Sequence, residues 1–314
     1  MRTVAERSYE YIMIMMVNHN EDKTNVVFVF DALHDEYKHM ASWYDTFWKT
    51  YTIATLQYPL AEVNARIVDT CVDGGTITIA PCDDDDDGYD DDTSNITVIA
   101  DVGCGTGEFL KRLFDEYNVS RDHPYSYDTF QLPSQSLKLI GIEPSGEMLR
   151  QAMTKFDKVH NMDNAGRRNN DDDGSNVTVV LDRCPAEQLP MDDNSVDIVV
   201  STNAFHFFRN KQQSLHEIQR VLKSSNSGDD GGGTLVLTDW CNDYIIVRLY
   251  HIMERVRWNW MHRYTDAYPS PLRKEELAEL AEAAGLCIHK HVTYRVRVFS
   301  VFFWGMQSIV ATKR

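Results

Sequence analysis

The chain has 314 residues, 43% of them hydrophobic, which is enough for one large α/β domain or two small ones. Its formal net charge of −17 argues against nucleic acid or an anionic membrane as a general partner, because both would be repelled. Much of the excess acid sits in two runs, 82–92 (CDDDDDGYDDD) and 169–175 (NNDDDGS). Neither run has the alternating acids, turn glycine and closing Glu of a calcium loop, and neither can bury apolar area, so both read as solvated filler.

In chain order, residues 9–17 form an apolar patch too short to cross a bilayer and without a cleavage pattern. A soluble protein with no stable membrane insertion is expected. The six cysteines (Cys71, Cys82, Cys104, Cys184, Cys241, Cys287) include no C-x-x-C pair. That spacing fits reduced thiols in a cytoplasmic compartment and gives no metal site. Residues 41–56 (ASWYDTFWKTYTIATL) are aromatic and amphipathic.

From residue 96, β-branched runs alternate with helical patterns. Strands are predicted at 96–101, 137–143, 176–182, 196–202 and 233–240, with helices at 106–117, 145–156 and 211–223 between them. Near-continuous Val/Ile/Leu strands alternating with helices predict a Rossmann-like, doubly wound, mostly parallel sheet with helices on both faces. A last helix is predicted at 271–286. Two strand-like segments then follow with no helix between them, so the sheet should close in an antiparallel hairpin. The predicted organisation is an N-terminal extension over 1–40, then a lid helix with an acidic linker over 41–95. The core spans 96–240, and 241–314 adds a helical insertion, the last helix and the hairpin to the same domain. The long polar connections between elements read as insertions into surface loops.

Residues 98–110 (VIADVGCGTGEFL) raise the functional question. Gly103, Gly105 and Gly107 follow a strand and open a helix, where glycines permit positive φ and let a ligand approach the main chain. The free N–H groups of the helix start suit a carboxylate or phosphate. The spacing is G-x-G-x-G rather than the G-x-G-x-x-G of dinucleotide sites, and Asp101 stands directly before it. That carboxylate would repel a pyrophosphate and attract an ammonium group.

The stretch DVGCGTG resembles motif I of class I S-adenosylmethionine (SAM)-dependent methyltransferases. The resemblance continues through GIEPSGEML, AEQLPMDDNSVDIVVSTNAFHFF and EIQRVLK…GGTLVLTDW, in order across 96–240. It lies nearest the broad ubiquinone/menaquinone C-methyltransferase-like subgroup. The resemblance implies SAM as cofactor, with its methionine half on the loop of Gly103, Cys104, Gly105, Thr106 and Gly107, and Asp101 anchoring the amino group through the loop network. It implies that Glu143 bridges the ribose hydroxyls, since one carboxylate accepts both hydrogen bonds. A helix N-terminal acid complementing the dipole is the other reading of Glu143. Pro144, Met148, Ala186, Glu187 and Asn203 complete the implied cofactor set. Where related proteins often carry an adenine-binding acid, this chain has Pro185, which leaves adenine to the Ala186 amide and apolar packing.

Residues 41–56 resemble the family's lid helix, whose Tyr-Asp pair covers the cofactor. Tyr44 and Tyr51 are candidates for closing over the methionine end, or for packing on the sheet edge. His206, just past the fourth strand, is expected in the crevice either as a general base or as a packing histidine. Trp258, Trp260, His262 and Tyr264 cluster in the segment where this fold commonly builds its acceptor pocket, although a buried helix stripe would use the same letters. The resulting expectation is a methyltransferase acting on a small-molecule acceptor. The alternative is a catalytically inactive SAM-binding protein. A nicotinamide-dependent oxidoreductase is disfavoured by the glycine spacing and Asp101.

Overall fold

The computed structural model describes residues 28–73, 96–118, 136–164, 177–224, 232–262, 270–298 and 302–313. Both acidic runs, the 9–17 patch and Tyr264 lie outside these residues.

Strands β1 (Ile96–Val102), β2 (Ser136–Ile142), β3 (Val177–Asp182), β4 (Ile198–Thr202), β5 (Thr234–Trp240), β6 (Leu286–Val298) and β7 (Phe302–Lys313) form one sheet in the order β3-β2-β1-β4-β5-β7-β6. β1 pairs in parallel with both β2 and β4, and β7 runs antiparallel between β5 and β6. The expected closing hairpin is present, and its second strand is the one that joins the sheet.

Alternate strand residues feed opposite faces, as the two-residue period demands. Ile99, Leu139, Val200 and Val236 pack with Phe109, Leu110, Leu113 and Phe114 of α2 (Glu108–Tyr117). Ala100, Ile142, Val199 and Leu237 share the other face with Leu215 and Ile218 of α4 (Lys211–Val221) and Leu277 of α6 (Lys274–Ala283). Both faces are covered, which is why the strands read as continuous apolar runs.

The lid helix expected over 41–56 is α1 (Phe28–Asp73), which runs on through Pro59. An interior proline costs about 3 kcal/mol. The helix persists because Leu56, Val63 and Ile67 are buried in the first of those cores. The second predicted helix also extends, as α3 (Gly146–Asn164), whereas the last one is shorter than 271–286. It starts where the Glu276 carboxylate accepts the Arg273 N–H and stops at Gly285, whose φ is +84°. Helix α5 (Ile245–His262) carries Trp258, Trp260 and His262.

The chain leaves β1 toward β2 on one side and returns to β4 on the other. That switch point opens a crevice at the C-terminal ends of β1 and β4.

Candidate active site

The crevice holds a cavity of about 190 Å³. Of the sequence-predicted residues, Tyr44, Tyr51, Asp101, Gly103, Cys104, Gly105, Thr106, Glu143, Pro144, Met148, Ala186, Glu187 and Asn203 line it. Gly107 and His206 do not.

The three loop glycines, all at positive φ, serve different ends. A Cβ on Gly103 would meet the Ala204 Cβ at 2.4 Å, and one on Gly107 would meet the Ala152 Cβ at 3.1 Å. Both let elements pack closely. A Cβ on Gly105 would meet nothing within 4 Å, so this glycine alone presents bare backbone to open space. Glu143 fixes the loop: its two carboxylate oxygens accept the Gly105 N–H (3.0 Å) and the Ser145 N–H (2.8 Å). Each oxygen keeps a lone pair for a ligand.

The lining is acidic. Asp45, Asp101, Glu108, Glu143 and Glu187 face Arg209 as the single lining base. Burial, reinforced by Glu143, pushes the Asp101 carboxyl up to about 8. Burial raises Glu143 to about 7 against the opposing pull of its two amide donors. Asp101 Oδ1 and Thr202 Oγ1 are buried and make no hydrogen bond within the described residues. Unpaired buried acceptors at a strand's end are costly, and a ligand bringing hydrogen-bond donors and positive charge would relieve them.

Helix α1 is tied to both sides of the cavity. Thr106 Oγ1 donates to Asp45 Oδ1 at 2.5 Å, and Lys155 Nζ lies 2.7 Å from Asp45 Oδ2. Tyr51 OH donates to Asn203 Oδ1 (2.8 Å) and accepts from Trp240 Nε1 (2.5 Å), while Asn203 Nδ2 donates to Thr55 Oγ1 (2.8 Å). Asn203 holds φ +56°, a conformation asparagine tolerates better than most residues. The Tyr44 hydroxyl, pushed up to about 12 by burial and then by Glu143 and Asp45, stays protonated at neutral pH.

The expected position of His206 in the crevice is corrected. Its side chain is 1% exposed, stacked on Trp240 with ring centroids 4.1 Å apart and screened by Phe207 at 4.0 Å. Asp239 at the end of β5 draws it in. The carboxylate accepts the His206 main-chain N–H at 2.6 Å, and its other oxygen lies 2.6 Å from Nδ1. Nε2 is buried and has no partner within the described residues. Phe207, Phe208 and Arg209 line the cavity in its place. They immediately follow His206 in the sequence, so the same stretch after β4 contained the signal. Asp45, which the family's Tyr-Asp pair pointed to, was likewise available. Glu187 lines the cavity, but its Oε1 also accepts the Arg209 and Asn210 N–H groups at 2.9 Å, capping the approach to α4.

Residues 100–226 match the family described as a methyltransferase domain. That segment of the chain is similar to the methyltransferase-domain family. The chain is also similar to solved structures at low identity. One, from Thermotoga maritima, is described as a SAM-dependent methyltransferase and possible histamine N-methyltransferase. It shares 17% identity at TM-score 0.49, over 88% of this chain and 98% of the other. Another, a SAM-dependent methyltransferase from Methanosarcina mazei, shares 16% identity at TM-score 0.47, over 70% of this chain and 93% of the other. No curated protein is significantly similar in sequence. The acidic cavity with its open Gly105 fits a ligand of two cationic centres. Among the described residues no helix is long and apolar enough to cross a membrane.

Proposed function

We propose that the protein is a cytoplasmic enzyme that methylates a small-molecule acceptor at the cavity between β1 and β4. The observation that carries this reading is the pairing of buried, unsatisfied Asp101 with an acidic lining beside the bare backbone of Gly105. Such a lining repels a pyrophosphate and favours a cation, which sets this site apart from a nicotinamide-dependent one. The scattered cysteines support a reducing compartment. An inactive SAM-binding scaffold is not favoured.

When bound, SAM supplies an electrophilic methyl group. Gly103, Cys104, Gly105 and Thr106 would hold its methionine end, with Asp101 at the amino group, while Gly107 lets the loop pack on Ala152. Glu143 would take the ribose hydroxyls through its remaining lone pairs. Pro144, Met148 and Ala186 would pack the adenine side, near Glu187. Tyr44, Tyr51 and Asn203 would exclude water, because the Tyr51–Asn203–Thr55 chain clamps α1 over the strand ends. We assign His206 a positioning role: held by Asp239, it supports the wall formed by Phe207 and Phe208. Positioning and desolvation would then supply most of the rate.

Calorimetry with SAM, S-adenosylhomocysteine and NAD tests the site, and a screen of metabolite extracts with methyl-labelled SAM tests the activity. Binding of both adenosyl ligands and label transfer to a small molecule are expected. Binding of NAD alone would overturn the reading, and cofactor binding without transfer to any extract would favour the scaffold.

A further inference from the structure

Helix α5 is mounted inside out. Its sheet-facing side carries Val247, which is buried, and the half-buried Tyr250, His251 and Glu254. Its outward side carries Ile245, Leu249, Ile252, Met253 and Val256, each between 53% and 73% exposed. These positions fall on one helical stripe about three turns long. An outer face more apolar than the inner one cannot be explained by packing on the sheet, and contiguous exposed apolar surface of this kind marks an interaction site.

The hairpin packs beside it, against its sheet-facing side. Tyr250 and Trp304 have ring centroids 5.2 Å apart, and the Arg295 guanidinium lies 5.4 Å over the Tyr244 ring, which joins the start of α5 to β6. At the hairpin end Phe303 is 53% exposed and is paired with Arg297. Trp240, the last residue of β5, pairs with Met306, so residues 302–305 overhang the C-terminal edge of the sheet where the cavity opens.

Charge on these elements opposes that of the chain. Helix α5 has Arg248, Arg255 and Arg257 against Glu254, β6 has Lys290, Arg295 and Arg297, and β7 has Lys313. Neither strand contains an acid. Lys290 is paired with Glu62, and Lys313 lies at the opposite end of the hairpin. The local balance is therefore five arginines against Glu254, a net +4 in a protein of net −17. Arg248, Arg255, Arg295 and Arg297 are exposed around the apolar stripe. The average charge that predicts repulsion from anionic surfaces is therefore unevenly distributed. At physiological salt, charges more than about 8 Å away are largely screened, so the local sign governs contact.

We propose that α5 and the adjoining described ends of β6 and β7 dock the protein on an anionic lipid bilayer, with the aliphatic stripe entering the headgroup boundary and the arginines meeting lipid phosphates and carboxylates. An apolar face flanked by arginine is what an interfacial helix requires. A nucleic acid would use the arginines but leave the aliphatic side chains unmatched. Docking places the cavity edge beside the bilayer surface. It concerns where the protein sits, and it stands or falls separately from the cofactor site.

Flotation of the full-length chain tests this, with vesicles of phosphatidylcholine alone and with a quarter phosphatidylserine, at low and high salt. The expected result is a strong preference for the anionic vesicles that weakens with salt. Leu249→Asp/Met253→Asp and Arg295→Glu/Arg297→Glu should each lower partitioning by about tenfold or more. Calorimetry with SAM on the same variants reads whether the cofactor site is intact. Absence of an anionic preference, or variants that bind as the parent does, would overturn the proposal. So would a dimer in light scattering that Leu249→Asp splits while vesicles go unbound, since the stripe would then be a contact between copies.

Discussion

Asp239 grips His206 from two sides, taking the main-chain N–H with one carboxylate oxygen and facing Nδ1 with the other, each at 2.6 Å. Nδ1 is thereby tied to Asp239, and Nε2, without a partner among the described residues, lies buried behind Phe207. His206→Gln should lower stability by about 1–3 kcal/mol, because it weakens a buried, carboxylate-linked bond. SAM affinity should hold, and kcat should fall by less than the 10²–10⁴-fold typical of a lost general base. Parallel pH–rate profiles check this. A limb near a histidine pKa that is present in the parent and absent in the variant would instead make His206 the base.

Glu143 carries two tasks, since it shapes the Gly105 loop and faces the cavity. If Glu143 only bridged the ribose, Glu143→Ala would weaken SAM with little effect on the ligand-free protein. The two amides it accepts revise that expectation, because alanine leaves both without their acceptor. Glu143→Ala should cost about 1.5–3 kcal/mol in SAM affinity and also lower the ligand-free melting temperature. Glu143→Gln keeps one acceptor oxygen and should restore part of the stability but little of the affinity. Calorimetry and thermal melts on both variants separate the two tasks.

Gly103 and Gly105 should respond in opposite ways to a side chain. Gly103→Ala drives a methyl group onto Ala204 at 2.4 Å and is expected to unfold or badly destabilise the core. Gly105→Val has room, so its folded-state cost is mainly the left-handed backbone, about 1–2 kcal/mol. Its side chain occupies the space in front of the loop, and SAM binding should be lost while the fold survives. Circular dichroism melts and calorimetry distinguish these outcomes. A Gly105→Val protein that binds SAM normally would remove the loop from the site.

Asp101 and Glu143 make both binding and stability depend on pH. The folded protein holds protons on these groups up to about pH 8 and about pH 7. Unfolded carboxylates release theirs near pH 4. Between those limits the native state binds more protons, so ligand-free stability falls as pH rises from about 4 to 8. Asp101→Asn should flatten that decline and raise the melting temperature at pH 8. A cationic ligand favours the ionised carboxylates, so SAM affinity should rise across the same upper window with proton release. Calorimetry in buffers of different ionisation heat measures the protons released.

The parallel core was legible because its signals are local. A buried strand such as 96–102 is a continuous β-branched run, and the glycine spacing with Asp101 needs no tertiary knowledge. Glu143 was legible from its place at the end of β2. What escaped was set by contacts between distant residues. Nothing near His206 announces that Asp239, 33 residues on, pulls it out of the crevice. Helix α1 continues past Pro59 only because Val63 and Ile67 find a core made by strands that start beyond residue 96. The letters of α5 suggest a buried stripe equally well. Only the fold shows that Leu249 and Met253 turn away from the sheet.

Leu56, Val63 and Ile67 have a practical consequence for anyone dissecting the protein. They lie in the same apolar cluster as Ile99, Leu110 and Leu139, yet the segment recognisable as a methyltransferase domain is 100–226. The recognisable module and the cooperative folding unit therefore have different borders. A fragment trimmed to begin at β1 would expose the part of one sheet face that α1 covers, and it should be recovered as a dye-binding, aggregation-prone collapsed state. Grafting this lid onto another scaffold, or exchanging it for a shorter one, would disturb the core itself. In the intact chain, Ile67→Asp should melt helix and sheet in a single shifted transition.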